Sequence, residues 1–151
     1  MDKESSIKSQ NYHLDLSKYR FERANKILKV SKRDLEYGDY NESVSRSYYA
    51  IFYALLSVTE LDGFESAKHS GIISYFTFTY LRTKILEGKL SKLIDSAFKL
   101  RHNADYECFF TVSKDNAQKQ INDAEEIINI IHPYLKSRWL EMEEKINEHN
   151  F

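Results

Sequence analysis

Apolar residues recur at three- and four-residue steps along most of this chain, the period of helices with one buried face. The first predicted helix runs from about Leu14 to Tyr37, with Leu16, Tyr19, Ala24, Ile27, Leu28, Ser31 and Leu35 facing inward, and Gly38 follows where a left-handed residue would end it. A second helix opens near Asp39, with Glu42 in the capping-box position, and continues through Val44, Tyr48, Ile51, Phe52, Leu55, Leu56 and Val58 to Leu61-Asp62-Gly63. Nearly every face of its Tyr48–Leu56 part is apolar or aromatic, so this helix is expected at the centre. The third spans about Ser66 to Leu86, with Ile72, Ile73, Phe76, Tyr80, Leu81 and Ile85 inside. Gly88 separates it from a fourth, about Leu90 to Glu107, that buries Leu90, Leu93, Ile94, Ala97, Leu100 and Ala104. After the connector Phe109–Val112, Ser113 caps a fifth helix with Ala117, Ile121, Ala124, Ile127, Ile128 and Ile131 inward. Pro133 is expected to kink or end it.

The remaining segments lack that period. Residues 1–13 are polar and read as a flexible lead. Residues 136–151 read as a charged helical tail in which Trp139, Leu140, Met142 and Ile146 are interspersed, and which packs on the body or on a partner. Between them, residues 14–135 read as one all-α domain, a four- to five-helix up-and-down bundle.

Composition agrees. One proline and four glycines are too few for a turn-rich β domain. Lys and Arg total 22 against 23 Asp and Glu, so no dedicated duplex-binding surface is expected, although a local basic cleft is compatible. The lone Cys108 rules out an internal disulfide or a multi-cysteine metal site and suits a reducing, cytoplasmic setting. No apolar run approaches a membrane span, and the first residues lack the apolar core of a signal peptide. Gly-rich phosphate loops, nucleophile elbows and HExxH pairs are absent, and the five histidines are scattered. Neither a metal nor a cofactor is expected.

The densest polar cluster is Arg101-His102-Asn103-Ala104-Asp105-Tyr106. Arg101 and Asp105 share a helix face, as do His102 and Tyr106, while Tyr106 is turned from Arg101 by about 140°. Arginine can grip a phosphate with two parallel hydrogen bonds, and tyrosine can donate to phosphate or stack on a base. Spacing alone favours an ordinary solvated helix face with an i,i+4 ion pair.

Three segments carry a family resemblance: Ser45-Arg46-Ser47-Tyr48-Tyr49-Ala50-Ile51-Phe52-Tyr53-Ala54-Leu55-Leu56, then Lys68-His69-Ser70-Gly71-Ile72-Ile73, then Arg101 through Tyr106. In order and spacing they resemble the second, third and fourth helices of small prokaryotic HEPN proteins, and the resemblance covers about Leu14 to Leu135. It implies a helical bundle that forms a homodimer, with a toxin–antitoxin or defence role. RNA or nucleotide would be bound in the dimer cleft, with metal-independent endoribonuclease activity in the active members. It makes Arg101, His102, Asp105 and Tyr106 the candidate catalytic set, and Arg46, Tyr49, His69 and Asn103 the candidate nucleotide- or RNA-binding set.

In active members a histidine follows the arginine, where this chain has Tyr106. Tyrosine, with an ordinary pKa of about 10, is a poor base at neutral pH. His102 or His69 could substitute, Tyr106 could act as a hydrogen-bond donor, or the domain could bind without cutting. The alternative is a non-catalytic helical partner or target of a small nucleotidyltransferase antitoxin, with Tyr106 as acceptor. A third reading is an interaction protein docking through Trp139–Ile146. His69 either packs under the second helix or joins the cleft. One of Tyr48 and Tyr49 is expected in the core and the other toward the cleft or dimer seam. For Arg46 a plain surface ion pair is favoured over Asp105 or phosphate.

Overall fold

The computed structural model describes residues 2–149; Met1 of the expected lead and Asn150 and Phe151 of the tail lie outside the described residues. Five α-helices follow one another: α1 (Lys3–Glu36), α2 (Tyr40–Thr59), α3 (His69–Phe76), α4 (Leu90–Tyr106) and α5 (Lys114–His149). A short 3₁₀ turn, Glu60–Asp62, closes α2, and a π-type turn, Thr77–Leu81, prolongs α3. The described residues contain no strand.

The chain turns back after α1 through Gly38, whose φ of +84° is the left-handed value expected of it. Asp39 stands at the N-cap of α2 but makes no side-chain cap bond, so the expected capping box does not form. α1 and α2 approach closely because small residues meet at their seam. Ala24, Ala50 and Ala54 are fully buried. Ser31 donates to the Ser43 carbonyl at 2.7 Å and Ser43 donates back to the Ser31 carbonyl at 2.9 Å. Lower down, Ser17 donates to the Ser57 carbonyl at 2.6 Å. Each buried hydroxyl thus has a partner, which removes the penalty of burying it alone.

α2 touches every other helix and forms the centre of the core. The expected inner stripes of α4 and α5 are found, with Leu90, Ile94, Ala97, Ala117, Ile121, Ala124, Ile127, Ile128 and Ile131 all buried. Two expected core positions differ. Tyr19 is exposed because the inward face of α1 is set by Leu14, Ser17, Phe21, Ala24 and Leu28. Ile85 is exposed because the chain leaves helical geometry after the π-type turn, passing through Lys84 at φ +62°.

Both terminal segments depart from the sequence reading. The lead is helical from Lys3, and its start is capped: the Asp2 carboxylate accepts from the Ser5 amide at 2.7 Å, which also lowers the Asp2 pKa. The tail is not a separate helix, because α5 runs unbroken through Pro133. Proline deprives the Asn129 carbonyl of its partner, but Asn129 and Pro133 both face solvent, where water can take over that bond. Packing on either side then outweighs the local defect. Ile131 and Leu135 are fully buried. Trp139 donates its indole N–H to Ser17 at 2.8 Å and meets Phe21 edge-on, and Ile146 is buried. Arg138 reaches Tyr134, Tyr80 and Asp62, tying α5 to the end of α2. Of the two readings for the tail residues, packing on the body rather than on a partner is the one found, with Leu140 left exposed.

Pro133→Ala restores a backbone donor at an exposed helical position. It should stabilise the fold by about 2 kcal/mol, the proline penalty less the added freedom of the unfolded chain. Urea unfolding checks this: the midpoint should rise at unchanged m-value, and a lower midpoint would mean that the proline ring contributes packing.

Candidate functional site

Three helices bring the site together. The burial of α2 fixes Tyr48 and Tyr49, neighbours on the helix whose rings sit edge to face at 5.5 Å. α4 lays Arg101 across both, its guanidinium carbon 5.2 Å from the Tyr48 ring centroid and 5.5 Å from that of Tyr49. One terminal nitrogen donates a long bond of 3.4 Å to the Tyr49 hydroxyl. The Nε lies 2.8 Å from the Asp105 carboxylate, one turn along the same helix, but is too poorly aligned for a hydrogen bond. The side chain keeps 19% of its surface exposed, so the cation is largely but not wholly shielded from water.

His69, in the first turn of α3, completes the inner group. Its Nδ1 shares a 3.1 Å hydrogen bond with the Tyr48 hydroxyl, and its ring stacks on Phe52 at 3.9 Å. Burial, and then the nearby Arg101 charge, hold its pKa below the ordinary histidine value. Burial pushes the Tyr48 hydroxyl up, with Arg101 opposing. At neutral pH the pair is therefore a neutral imidazole beside a protonated phenol. Around this group lies a looser aromatic ring. Phe98 contacts Tyr48 and stacks parallel to His102, and His102 leans on Tyr106 at 5.0 Å. His102 and Tyr106 are both exposed.

Among the eight sequence candidates, Arg101, Asp105, Tyr49 and His69 converge, and His102 and Tyr106 flank them. Arg46 instead pairs with Asp34 at 2.7 Å on the surface between α1 and α2, the plain ion pair favoured from sequence. Asn103 lies about half a turn round α4 from Arg101, with Lys92, Asp95, Ser96 and Lys99. His69 packs against α2 through Phe52, as its first reading expected, and its hydrogen bond with Tyr48 brings it into the group around Arg101. Tyr48 fills the core position of the tyrosine pair, yet its hydroxyl reaches the site. Phe52 and Phe98 were read from sequence as core or not singled out. Their signal was an aromatic residue one turn from Tyr48 and from His102 respectively. Among the described residues, no group of three or more His, Cys, Asp or Glu side chains is placed to hold a metal ion.

Comparison with known proteins places the chain in a family. The family profile for the HEPN domain matches residues 17–136, more than three quarters of the chain. The chain belongs to the HEPN domain family. Over 132 residues it is 28% identical to a Methanocaldococcus jannaschii protein named "Putative toxin MJ0142", covering 87% of this chain and 89% of that protein. It is 33% identical over 112 residues to an Archaeoglobus fulgidus protein of the UPF0332 group, covering 74% of this chain and 89% of the relative. A second M. jannaschii protein, "Putative toxin MJ0605", is 28% identical over 116 residues, 75% of this chain and 84% of its own. The HEPN match begins inside α1 and ends inside α5, so it contains all three segments that build the Arg101 site.

Ring-proton NMR should find His69 titrating below the value of about 6.5 typical of a solvated histidine, and Arg101→Ala should raise that pKa part of the way back, since burial remains. Because the folded-state value is the lower one, folding favours the neutral ring. His69 therefore costs no stability above the unfolded-state pKa, and its cost grows as pH falls from there through the folded value. An unshifted His69, or one insensitive to Arg101→Ala, would contradict the described contact.

Proposed function

We propose that this HEPN-domain protein is of the toxin or defence type and acts on RNA. Arg101 would grip a backbone phosphate in a cleft completed by a second copy of the chain. The observation that carries the reading is the partly exposed Arg101 guanidinium, stacked on Tyr48 and Tyr49 with a neutral histidine in the same cluster. Two features support a second copy. The site is partly exposed on one protomer, and exposed aromatic side chains border it, Phe98 against Tyr48 and Tyr106 against His102. Isolated monomers rarely leave such a patch bare beside a polar site. The relatives named as toxins point to the same role.

The chemistry suited to these groups is metal-independent transesterification. Neutral His69, its Nδ1 held by Tyr48, takes the proton from a ribose 2′-hydroxyl through Nε2. The 2′-oxygen attacks phosphorus while Arg101 stabilises the charge that builds on the phosphoryl oxygens. The 5′-oxygen departs with a proton from the Tyr106 hydroxyl or solvent, leaving a 2′,3′-cyclic phosphate and a 5′-hydroxyl end. A tyrosine hydroxyl suits donation where it does not suit a base's task.

Single-stranded RNA incubated with the purified chain in EDTA should yield cyclic-phosphate ends. Arg101→Ala should lower the rate by about a hundredfold or more, the usual scale for losing one charge-stabilising group. His69→Ala should do likewise, and the wild-type rate should hold as pH falls through about 6.5, the ordinary histidine value, and drop only below it, where the depressed His69 protonates. RNA that stays intact but binds tightly, with binding lost in Arg101→Ala, would reduce the role to recognition. No binding at all would overturn the reading.

A second reading rests on a separate observation. Tyr106 ends α4 with 66% of its surface exposed, accessible to another enzyme in a way that the buried Tyr48 is not. As the target of a nucleotidyltransferase antitoxin, its hydroxyl would receive a nucleotidyl group, adding charge and bulk beside Arg101. Co-expression with a transferase encoded nearby, followed by mass spectrometry, should show nucleotide mass on the peptide containing Tyr106. An unmodified peptide, or one equally modified in Tyr106→Phe, would exclude it.

A further inference from the structure

A groove of about 430 Å³ runs along the seam of α1 and α2, next to the Arg101 site but outside it. Arg23, Lys26 and Arg46 rim it, and Tyr49 and Tyr53 form its α2 wall. Its floor is apolar, from Ile27 and Val30. Tyr49 and Tyr53 are four residues apart, so their rings stand on one face of α2, about 6 Å apart along the axis. The Arg23 guanidinium carbon lies 6.0 Å from the Tyr53 ring centroid. Two acidic side chains are close: Asp34 pairs with Arg46, and Glu22 lies 3.2 Å from Lys26 on the exposed face of α1. Three cations against two carboxylates leave the groove net positive in a chain that is net negative overall. Tyr49 belongs to both places, lining the groove while its hydroxyl accepts from Arg101.

We infer that this groove is an RNA subsite holding the single-stranded nucleotides next to the one at Arg101. Cations that follow a backbone, interleaved with flat aromatic faces that stack on bases, are what binds single strands without a sequence code. An acidic peptide would find the same charges but no use for two tyrosine faces one turn apart. A duplex would keep its bases stacked on each other and away from those rings. The strand passes from Arg101 over Tyr49 to Tyr53, with its phosphates toward Arg23, Lys26 and Arg46. The inference rests on Arg101 as the primary phosphate site and extends it from one nucleotide to a strand.

Fluorescence anisotropy tests it with three probes: adenosine monophosphate, a labelled oligouridylate of about ten nucleotides, and a labelled RNA duplex of the same length. Two variants alter the groove without touching the primary site, the double variant Arg23→Gln/Lys26→Gln at exposed positions and Tyr53→Leu. The oligomer should bind about tenfold more weakly to the double variant, and its log–log salt dependence should flatten by about 1.4, two single-strand phosphate contacts. Tyr53→Leu should weaken the oligomer but not the duplex, and monophosphate binding should be unchanged in both variants. Arg101→Ala should weaken monophosphate and oligomer together. If Arg101→Ala acts and the groove variants do not, the subsite is overturned and the primary site stands. If the groove variants act and Arg101→Ala does not, the primary site fails and with it the proposed strand path. Equal loss on duplex and single strand, or competition by polyglutamate as strong as by oligouridylate, would leave only general anion attraction and overturn the RNA assignment. No binding by the wild-type protein would overturn both.

Discussion

The burial of α2 is the constraint on which the rest depends. A helix apolar on nearly all faces must be enclosed, and the other helices are arranged to do that. Enclosure locks the rotation of α2, so Tyr48 must enter the core while Tyr49, about 100° round, comes out at the seam. The two rings then make a fixed platform. Arg101 comes to rest on it because Leu90, Ile94 and Ala97 anchor the inner face of α4, which sets the angle at which the arginine leaves the helix. His69 joins because α3 begins beside Phe52. The site's geometry is thus inherited from core packing, and its side chains need few contacts of their own to stay in place.

Close approach of α1 is what makes the enclosure dense. Serine at Ser17, Ser31 and Ser43 is small enough to let backbones come near, and each hydroxyl then uses the opposite carbonyl. Leucine at those places would hold the helices apart and weaken contacts along both. Gln120 plays the corresponding part for α5, donating to the Val44 carbonyl and the Ser47 hydroxyl. The seam that forms the α1–α2 groove follows from the same approach, since the larger residues just outside it, Arg23, Arg46 and Tyr53, must flank a narrow line of small ones.

Periodicity made most of this legible in the sequence: helix number, the central place of α2, and the inner faces of α4 and α5. The misreadings came where local rules met tertiary packing. Pro133 signals a break, but it faces solvent between buried residues on both sides, and nothing local reveals that Trp139 will find Ser17 more than a hundred residues away. The helical lead was concealed by its polarity, although Asp2 and Ser5 already stood at cap spacing. In the site, the Arg101–Asp105 pair was readable from its spacing. The partnership of Arg101 with Tyr48, Tyr49 and His69 was not, because these lie on three different helices and only the resemblance placed them in one motif. Asn103 shows the reverse limit: adjacency in a motif places it near Arg101 in sequence, while helical rotation turns it to another face.

The exposure of Arg101 bears most directly on activity. A fully exposed guanidinium would be screened and a fully buried one locked into its ion pair. Arg101 has aromatic faces beneath it, one poorly aligned carboxylate beside it and about a fifth of its side-chain surface exposed. Stacking shields the cation without consuming its donors, so in the proposed function a phosphate would meet unspent hydrogen-bonding capacity in a partly desolvated setting, where charge-assisted bonds are strongest. Asp105 balances the charge while the site is empty and need move little, because it is already off the donor line. On that proposal, Tyr106 in place of a histidine would leave the Arg101 contacts unchanged and alter only the proton chemistry around them. In the proposed function, recognition at Arg101 and reaction at His69 or Tyr106 would therefore be physically separable, and loss of one would not entail loss of the other.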